Sequence, residues 1–275
     1  MHNPDVKVLN AGFYDLGRSD KSKLVDDVGK HVDGSKGKGT NVRVRYSLHL
    51  HRTGADDING QAAIIRGNAV EGSPGRGIVQ HDSHAGLEDN VVFDVVGAGI
   101  AAESGNEIGW WTDNLTIKTT VIPLQDFNRQ SARRDKLFDF GVQGTGFWVQ
   151  GAAQVQNRGN KAISSNGAGL DLFGSVLNRT YLRDAPTLEV KNLPPELRKL
   201  FPADQKEVDI RDVPMADVEG FESYNANAGL RVWGHSTNFT GELAFNTSDP
   251  ETAHKGRSLI QDIKLWGNRS RGASV

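Results

Sequence analysis

The chain has 275 residues, enough to bury a large core in one or two domains. Its 32 basic and 34 acidic residues leave a net charge of -2, which excludes a general electrostatic pull toward nucleic acid or anionic membrane. The absence of cysteine excludes disulfides and thiolate metal sites, and no apolar run reaches the roughly 18 residues of a membrane span.

In chain order the sequence repeats one unit: short apolar strand, turn, short apolar strand, turn. The first unit aligns Asn10 with Ser47 across a 28-residue insertion. The next two are compact, with Asn68 followed nine residues later by Gly77 and Asn90 by Gly99. Asn114 and Gly146 fit with a 23-residue insertion, Asn160 and Gly169 fit directly, and Gly220 with Gly229 keeps the spacing without the asparagine. Units without insertions lie 22 to 24 residues apart. Leucine-rich repeats share that period, but their dense leucine pattern is missing. The 32 glycines suit tight turns, and the glycine that recurs in the unit marks a turn needing either φ > 0 or a close backbone approach. The reading is an all-β chain: a right-handed parallel β-helix, a solenoid of about 22–24-residue coils with inserted loops. Stacked asparagines are expected to hydrogen-bond along its axis.

The inserted loops span about residues 17–42, 121–140 and 175–218, the last holding a short helix signal at Pro194–Phe201. The N-terminus, Met1-His2-Asn3-Pro4-Asp5, carries no secretory signal. The first coil begins almost at Met1, and the strand-like Ile260–Trp266 is followed by no cap. A single β-helix domain over residues 1–275, continuing beyond both ends, is therefore expected.

Register turns the repeat into columns. The position after the turn glycine, or after Ser47, is Leu48, Ile78, Ile100, Phe147, Leu170 and Leu230, all apolar and so facing the core. The second and fourth positions then face outward. The second holds His49, Val79, Ala101, Trp148, Asp171 and Arg231, and the fourth His51, His81, Glu103, Gln150, Phe173 and Trp233. With coils about 4.8 Å apart, His49, His51, His81 and Glu103 form one polar cluster, with Asp82, His84 and Glu107 just beyond it. A lone exposed histidine is ordinarily a solvated surface residue; four residues brought together by register suggest a site. Imidazoles and a carboxylate at this spacing can hold a divalent metal through His49, His51, His81 and Glu103. Alternatively, His81, Glu103 and His51 serve as acid–base groups. Arg45, Arg52 and Arg76 can pair with a sugar carboxylate. Trp148 and Trp233, with Phe173, are either a sugar-stacking platform or packing beneath a loop.

Arg45-Tyr46-Ser47-Leu48-His49-Leu50-His51 resembles the Arg-Tyr-Pro-x-His-Phe-His motif of the parallel β-helix region shared by the cell-migration-inducing hyaluronan-binding protein, the transmembrane cell-surface hyaluronidase and fibrocystin-like proteins. The likeness continues through Ile65–Asn68, Val79–His81, Leu87–Val95 and Glu103–Gly109, covering about residues 43 to 120. Two departures stand out: the family's Gly-His-Gly-Phe is Gly97-Ala98-Gly99-Ile100, and its Glu-Asp-Gly is Glu103-Ser104-Gly105. The resemblance implies a secreted or cell-surface protein acting on an acidic polysaccharide, with uronate-containing polymers as partners, as a hydrolase or a lyase. Glycosidic hydrolysis ordinarily needs two carboxylates, and Glu103 with Glu107 is the nearest pair in sequence. The rival expectation is a non-catalytic, adhesin-type solenoid that binds glycan or protein.

Overall fold

A computed structural model describes residues 3–20, 23, 26–29, 36–42, 44–121, 143–151, 153–173, 187–209, 213–233 and 259–274, the side chains of Asp209 and Trp233 excepted. Three seven-stranded parallel sheets wind as a right-handed β-helix of seven coils. The first sheet stacks β1 (Lys7–Leu9), β4 (Ala63–Arg66), β7 (His84–Glu88), β10 (Ile108–Thr112), β13 (Gln154–Arg158), β18 (Val218–Glu219) and β21 (Ile260–Gln261). The second stacks β2 (Gly12–Tyr14), β5 (Ala69–Glu71), β8 (Val91–Val96), β11 (Leu115–Thr120), β14 (Lys161–Ile163), β19 (Glu222–Tyr224) and β22 (Lys264–Trp266). The third, which carries the site, stacks β3 (Leu48–His51), β6 (Ile78–His81), β9 (Ile100–Ala102), β12 (Phe147–Gln150), β15 (Ala168–Phe173), β20 (Ala228–Trp233) and β23 (Arg271–Ser274). Among the described residues no helix is long and apolar enough to cross a membrane.

The first-position column faces the core as expected: Leu48, Ile78, Ile100, Phe147, Leu170 and Leu230 are all buried in one apolar cluster. Asparagines at the corner between the first and second sheets form a ladder. Asn68, Asn90 and Asn114 each donate Nδ2 to the Oδ1 of the asparagine one coil on, ending at Asn160, with every bond at 2.9 Å. Each also holds a main-chain carbonyl, those of Val8, Ile65 and Leu87, at 2.8–2.9 Å. Asn10 and Gly220 do not belong to the ladder. They occupy the preceding left-handed turn position (φ 52° and 66°), so Ala11 and Phe221 stand in the ladder column. A short polar residue or glycine suits that backbone, and a single sequence does not distinguish the two adjacent positions.

The recurring glycines at 77, 99, 146, 169 and 229 are required by close approach rather than by positive φ, since none has the left-handed backbone. A Cβ on Gly99 would lie 2.7 Å from Thr116 Cγ2 and 2.8 Å from the Gly146 carbonyl oxygen of the next coil. Gly99→Ala is therefore expected to destabilise the fold by about 1–3 kcal/mol through forced coil separation, measured as a fall in the denaturant midpoint.

The insertion at about 17–42 lies between β2 and β3 and is described only in part. That at about 121–140 lies, apart from residue 121, outside the described residues. Within the insertion at about 175–218, residues 175–186 and 210–212 are outside them. The remainder forms an antiparallel ribbon of β16 (Thr187–Glu189) with β17 (Glu207–Asp209), and a four-residue helix α1 (Pro195–Arg198) where the proline signal placed one. Its Leu188, Leu193, Leu197 and Val208 pack with Ile108 of β10 as a second apolar cluster.

Candidate functional site

The site is built on the first three strands of the third sheet. On β3 the alternation sends Leu48 and Leu50 inward and His49 and His51 outward. Parallel pairing sets His51 beside His81, and the Glu103 N–H donates to the Gln80 carbonyl at 3.0 Å, which carries the column on to Glu103. The rings of His49 and His81 stack at 5.7 Å and 26°, and His51 stands edge-on to His81 at 4.7 Å. The four residues that register placed together do converge.

Glu103 is the pivot. Its side chain is only 8% exposed, and Oε1 accepts from Arg76 Nη1 at 2.7 Å. Its other oxygen, Oε2, faces His81 Nδ1 at 3.3 Å and His49 Nε2 at 3.6 Å, ion-pair separations that are not aligned as hydrogen bonds. Burial pushes the Glu103 carboxyl up, but the Arg76 guanidinium and the two imidazoles outweigh it and hold its pKa at about 2. Glu103 is thus ionised throughout the working range and is not a general acid.

The imidazoles differ by environment. Burial draws the His49 pKa below its ordinary value against the pull of Glu103. Burial, followed by the neighbouring His81 and Arg52, draws His51 down too, so this exposed ring is neutral near pH 7. Burial also opposes the His81 cation, but Glu103, with Glu107 and Asp82 behind it, raises its pKa. His49 Nδ1 lies 3.0 Å from the Val44 carbonyl, so a proton on Nδ1 leaves Nε2 as a lone pair aimed at Glu103. Val44 presents that carbonyl from a left-handed backbone (φ 59°), a strained conformation for a β-branched residue.

Several sequence-derived assignments change. Arg76 does not face a substrate: it is fully buried, pairs with Glu103 and lies 5.2 Å from the Tyr46 ring centroid. A buried carboxylate needs an internal counter-charge, and this arginine supplies it. Glu107 is not a partner acid. It is fully buried, and its oxygens accept the main-chain N–H groups of Ser104 and Gly105 at 2.7 Å and of Glu103 at 3.2 Å, clamping the turn that positions Glu103. Trp148 is 2% exposed and stacked on Phe173 at 5.4 Å, which makes it packing and not an open platform. Ala98, where the related motif has histidine, lies buried in that same cluster with Ala101. Trp233 falls in register with Phe173, and its side chain lies outside the described residues. Arg52 stays at the exposed rim and donates Nε to Asp82 at 2.9 Å, while Arg45 is exposed. His84 does not join the cluster: it is buried on β7, edge-on to Trp110.

Among the described residues, the group able to hold a metal is His49, His81 and Glu103, whose ligand atoms all lie within 4.8 Å of one another. His51 is not among them. Reading the sequence alone missed the Glu107 clamp and the Val44 carbonyl. The first lay hidden in a Ser-Gly-Asn turn ahead of a glutamate, and the second in a conformation that no residue type at position 44 signals.

A family model described as CEMIP beta-helix matches residues 35–177, more than half of the chain and a span that contains His49, His51, Arg76, His81 and Glu103. No curated protein and no solved structure shows a significant match. With the repeat, the parallel sheets and this match in agreement, the chain belongs to the CEMIP beta-helix family.

Proposed function

We propose that this chain is the carbohydrate-active β-helix of a secreted or cell-surface protein that depolymerises an acidic, uronate-containing polysaccharide. The observation that carries the reading is the convergence of His49 and His81 on one ionised, nearly buried carboxylate, with exposed His51 edge-on to His81, on the outer face of the third sheet. The polymer lies across the coils there, with Arg45 and Arg52 at the rim as carboxylate partners. His51, exposed and neutral, is the group that meets the substrate as a base.

Elimination suits this geometry better than hydrolysis. A hydrolase needs a protonated carboxyl beside an ionised one. Here Glu103 is held ionised and Glu107 is consumed by main-chain N–H groups. In elimination, His51 removes the proton α to the uronate carboxyl, the bond from the β-carbon to the glycosidic oxygen breaks, and the departing oxygen takes up a proton. The products are a new chain end and an unsaturated uronate.

The test is depolymerisation of a panel of acidic and neutral polysaccharides by the full chain, reading reducing ends and unsaturated-uronate absorbance. His51→Ala, a change at an exposed position, is expected to lower the rate by about 10²–10⁴-fold without altering thermal stability. Cleavage indifferent to His51→Ala would sink this assignment. A second reading, a non-catalytic glycan-binding solenoid, is favoured by Ala98 and Ser104 standing where the related motif has histidine and aspartate. Retention of an acidic polysaccharide without cleavage would select it.

A further inference from the structure

Three buried polar atoms point at one another in the site. His49 Nε2, His81 Nδ1 and Glu103 Oε2 are each shut off from solvent and have no hydrogen-bond partner among the described residues. Left so, such atoms cost the fold free energy, and a native arrangement ordinarily supplies each with a partner. His49 Nε2 and Glu103 Oε2 present lone pairs inward once His49 Nδ1 donates to Val44, and His81 Nδ1 adds a third in the tautomer protonated on Nε2, an arrangement that a cation would satisfy.

The spacing identifies its class. A tetrahedral ion with bonds of about 2.0–2.1 Å sets neighbouring ligand atoms about 3.3–3.4 Å apart. The observed separations to Glu103 Oε2 are 3.3 Å from His81 Nδ1 and 3.6 Å from His49 Nε2. Two imidazoles and one carboxylate suit a zinc-class ion, whereas calcium and magnesium prefer all-oxygen cages. The outer partners also match a metal centre. Val44 holds the far nitrogen of His49, and Arg76 holds the far oxygen of Glu103, so each of these two ligands is aimed through a single atom. A proton shared between His81 and Glu103 would satisfy those two and leave His49 Nε2 facing a carboxylate.

We propose that His49 Nε2, His81 Nδ1 and Glu103 Oε2 are the three protein ligands of one divalent transition-metal ion of the zinc class, with its remaining position open toward His51. The inner side is closed by Arg76, which is fully buried, while His81 is 29% exposed and His51 lies beside it on the solvent side. Three protein ligands with an open position are the pattern of a reactive centre, not of a closed structural one. On the reading of this face as a polysaccharide site, and resting on it, the open position takes a water or a uronate carboxylate.

The test uses the full chain stripped with chelator and titrated with Zn²⁺ and, separately, with Co²⁺, by calorimetry and visible absorption. One equivalent is expected to bind, with the intense Co²⁺ bands of four- or five-coordination. His49→Ala and Glu103→Gln are each expected to weaken binding by about a hundredfold or more, and His51→Ala by no more than a few-fold. Because Glu103→Gln also breaks the Arg76 pair, His49→Ala and the wild-type Co²⁺ spectrum carry the test should that variant fail to fold. No stoichiometric binding, a weak six-coordinate spectrum, or binding unchanged in His49→Ala would overturn the proposal. Binding of one equivalent without cleavage of any polysaccharide keeps the metal centre and removes the depolymerase reading. Cleavage that persists without metal binding does the reverse.

Discussion

Glu103→Ala is expected to lower the unfolding free energy of the metal-free protein by about 3–5 kcal/mol, because it removes the carboxylate paired with a buried guanidinium. Arg76 is fully buried, and its 2.7 Å partner is the Glu103 carboxylate. The cost lies in the charge left behind and not in the net value of the pair. The double variant Arg76→Met/Glu103→Leu, which removes both charges and keeps similar volume, is therefore expected to recover most of the loss. Denaturant unfolding of both variants decides the matter. A double variant as unstable as Glu103→Ala would show that the pair itself, and not the buried charge that has lost its carboxylate, carries the energy.

The same pair sets an acid limit. The folded pKa of Glu103, about 2, lies below the unfolded carboxyl value, so its contribution is present above that unfolded value and is lost as pH falls through about 2. His81 has the opposite sign. Its pKa is raised, so its contribution is present below its unfolded value of 6.5 and lost as pH rises through the folded one.

Asn90→Ala is expected to cost about 2–6 kcal/mol, because it interrupts the ladder in its interior. Asn90 donates to the Ile65 carbonyl at 2.8 Å and to Asn114 Oδ1 at 2.9 Å, and accepts from the Asn68 main-chain N–H and Nδ2. Its removal deprives two buried main-chain groups, the Ile65 carbonyl and the Asn68 N–H, of these partners, at about 1–3 kcal/mol each. Asn68→Ala is expected to cost less, because the N–H it serves belongs to part-buried Ala11. The midpoints of chemical denaturation for the two variants give the comparison. Equal losses would mean that the ladder adds nothing beyond the local turn, and a loss below about 1 kcal/mol for Asn90→Ala would mean that water replaces it.

Much of the site was legible in the sequence because register in a β-helix is a counting problem. Strand side chains alternate faces, and successive coils stack in parallel, so Leu48, Ile78 and Ile100 mark the inward column and His49, His51, His81 and Glu103 follow by parity. The same parity put Trp148 and Phe173 on the outer face, which is correct. It was silent on whether that face is wet, and both prove to be buried.

By itself the sequence determined the coil period, the asparagine ladder, the close-packing glycines and the strand face that carries the histidines, because each is a short-range pattern repeated from coil to coil. Only the tertiary structure decided the roles. Arg76 sits in a turn before β6, and whether a turn side chain goes out to solvent or in to a carboxylate depends on a residue 27 positions away. Glu107 can clamp its own turn or serve in the site, and four inward-pointing N–H groups, those of Asp82, Glu103, Ser104 and Gly105, commit it to the clamp. His49, His51 and His81 look alike in a column. Their separation into two ring nitrogens facing one buried oxygen and one exposed ring comes from burial and from the Val44 carbonyl, and both are consequences of chain packing that no single position encodes.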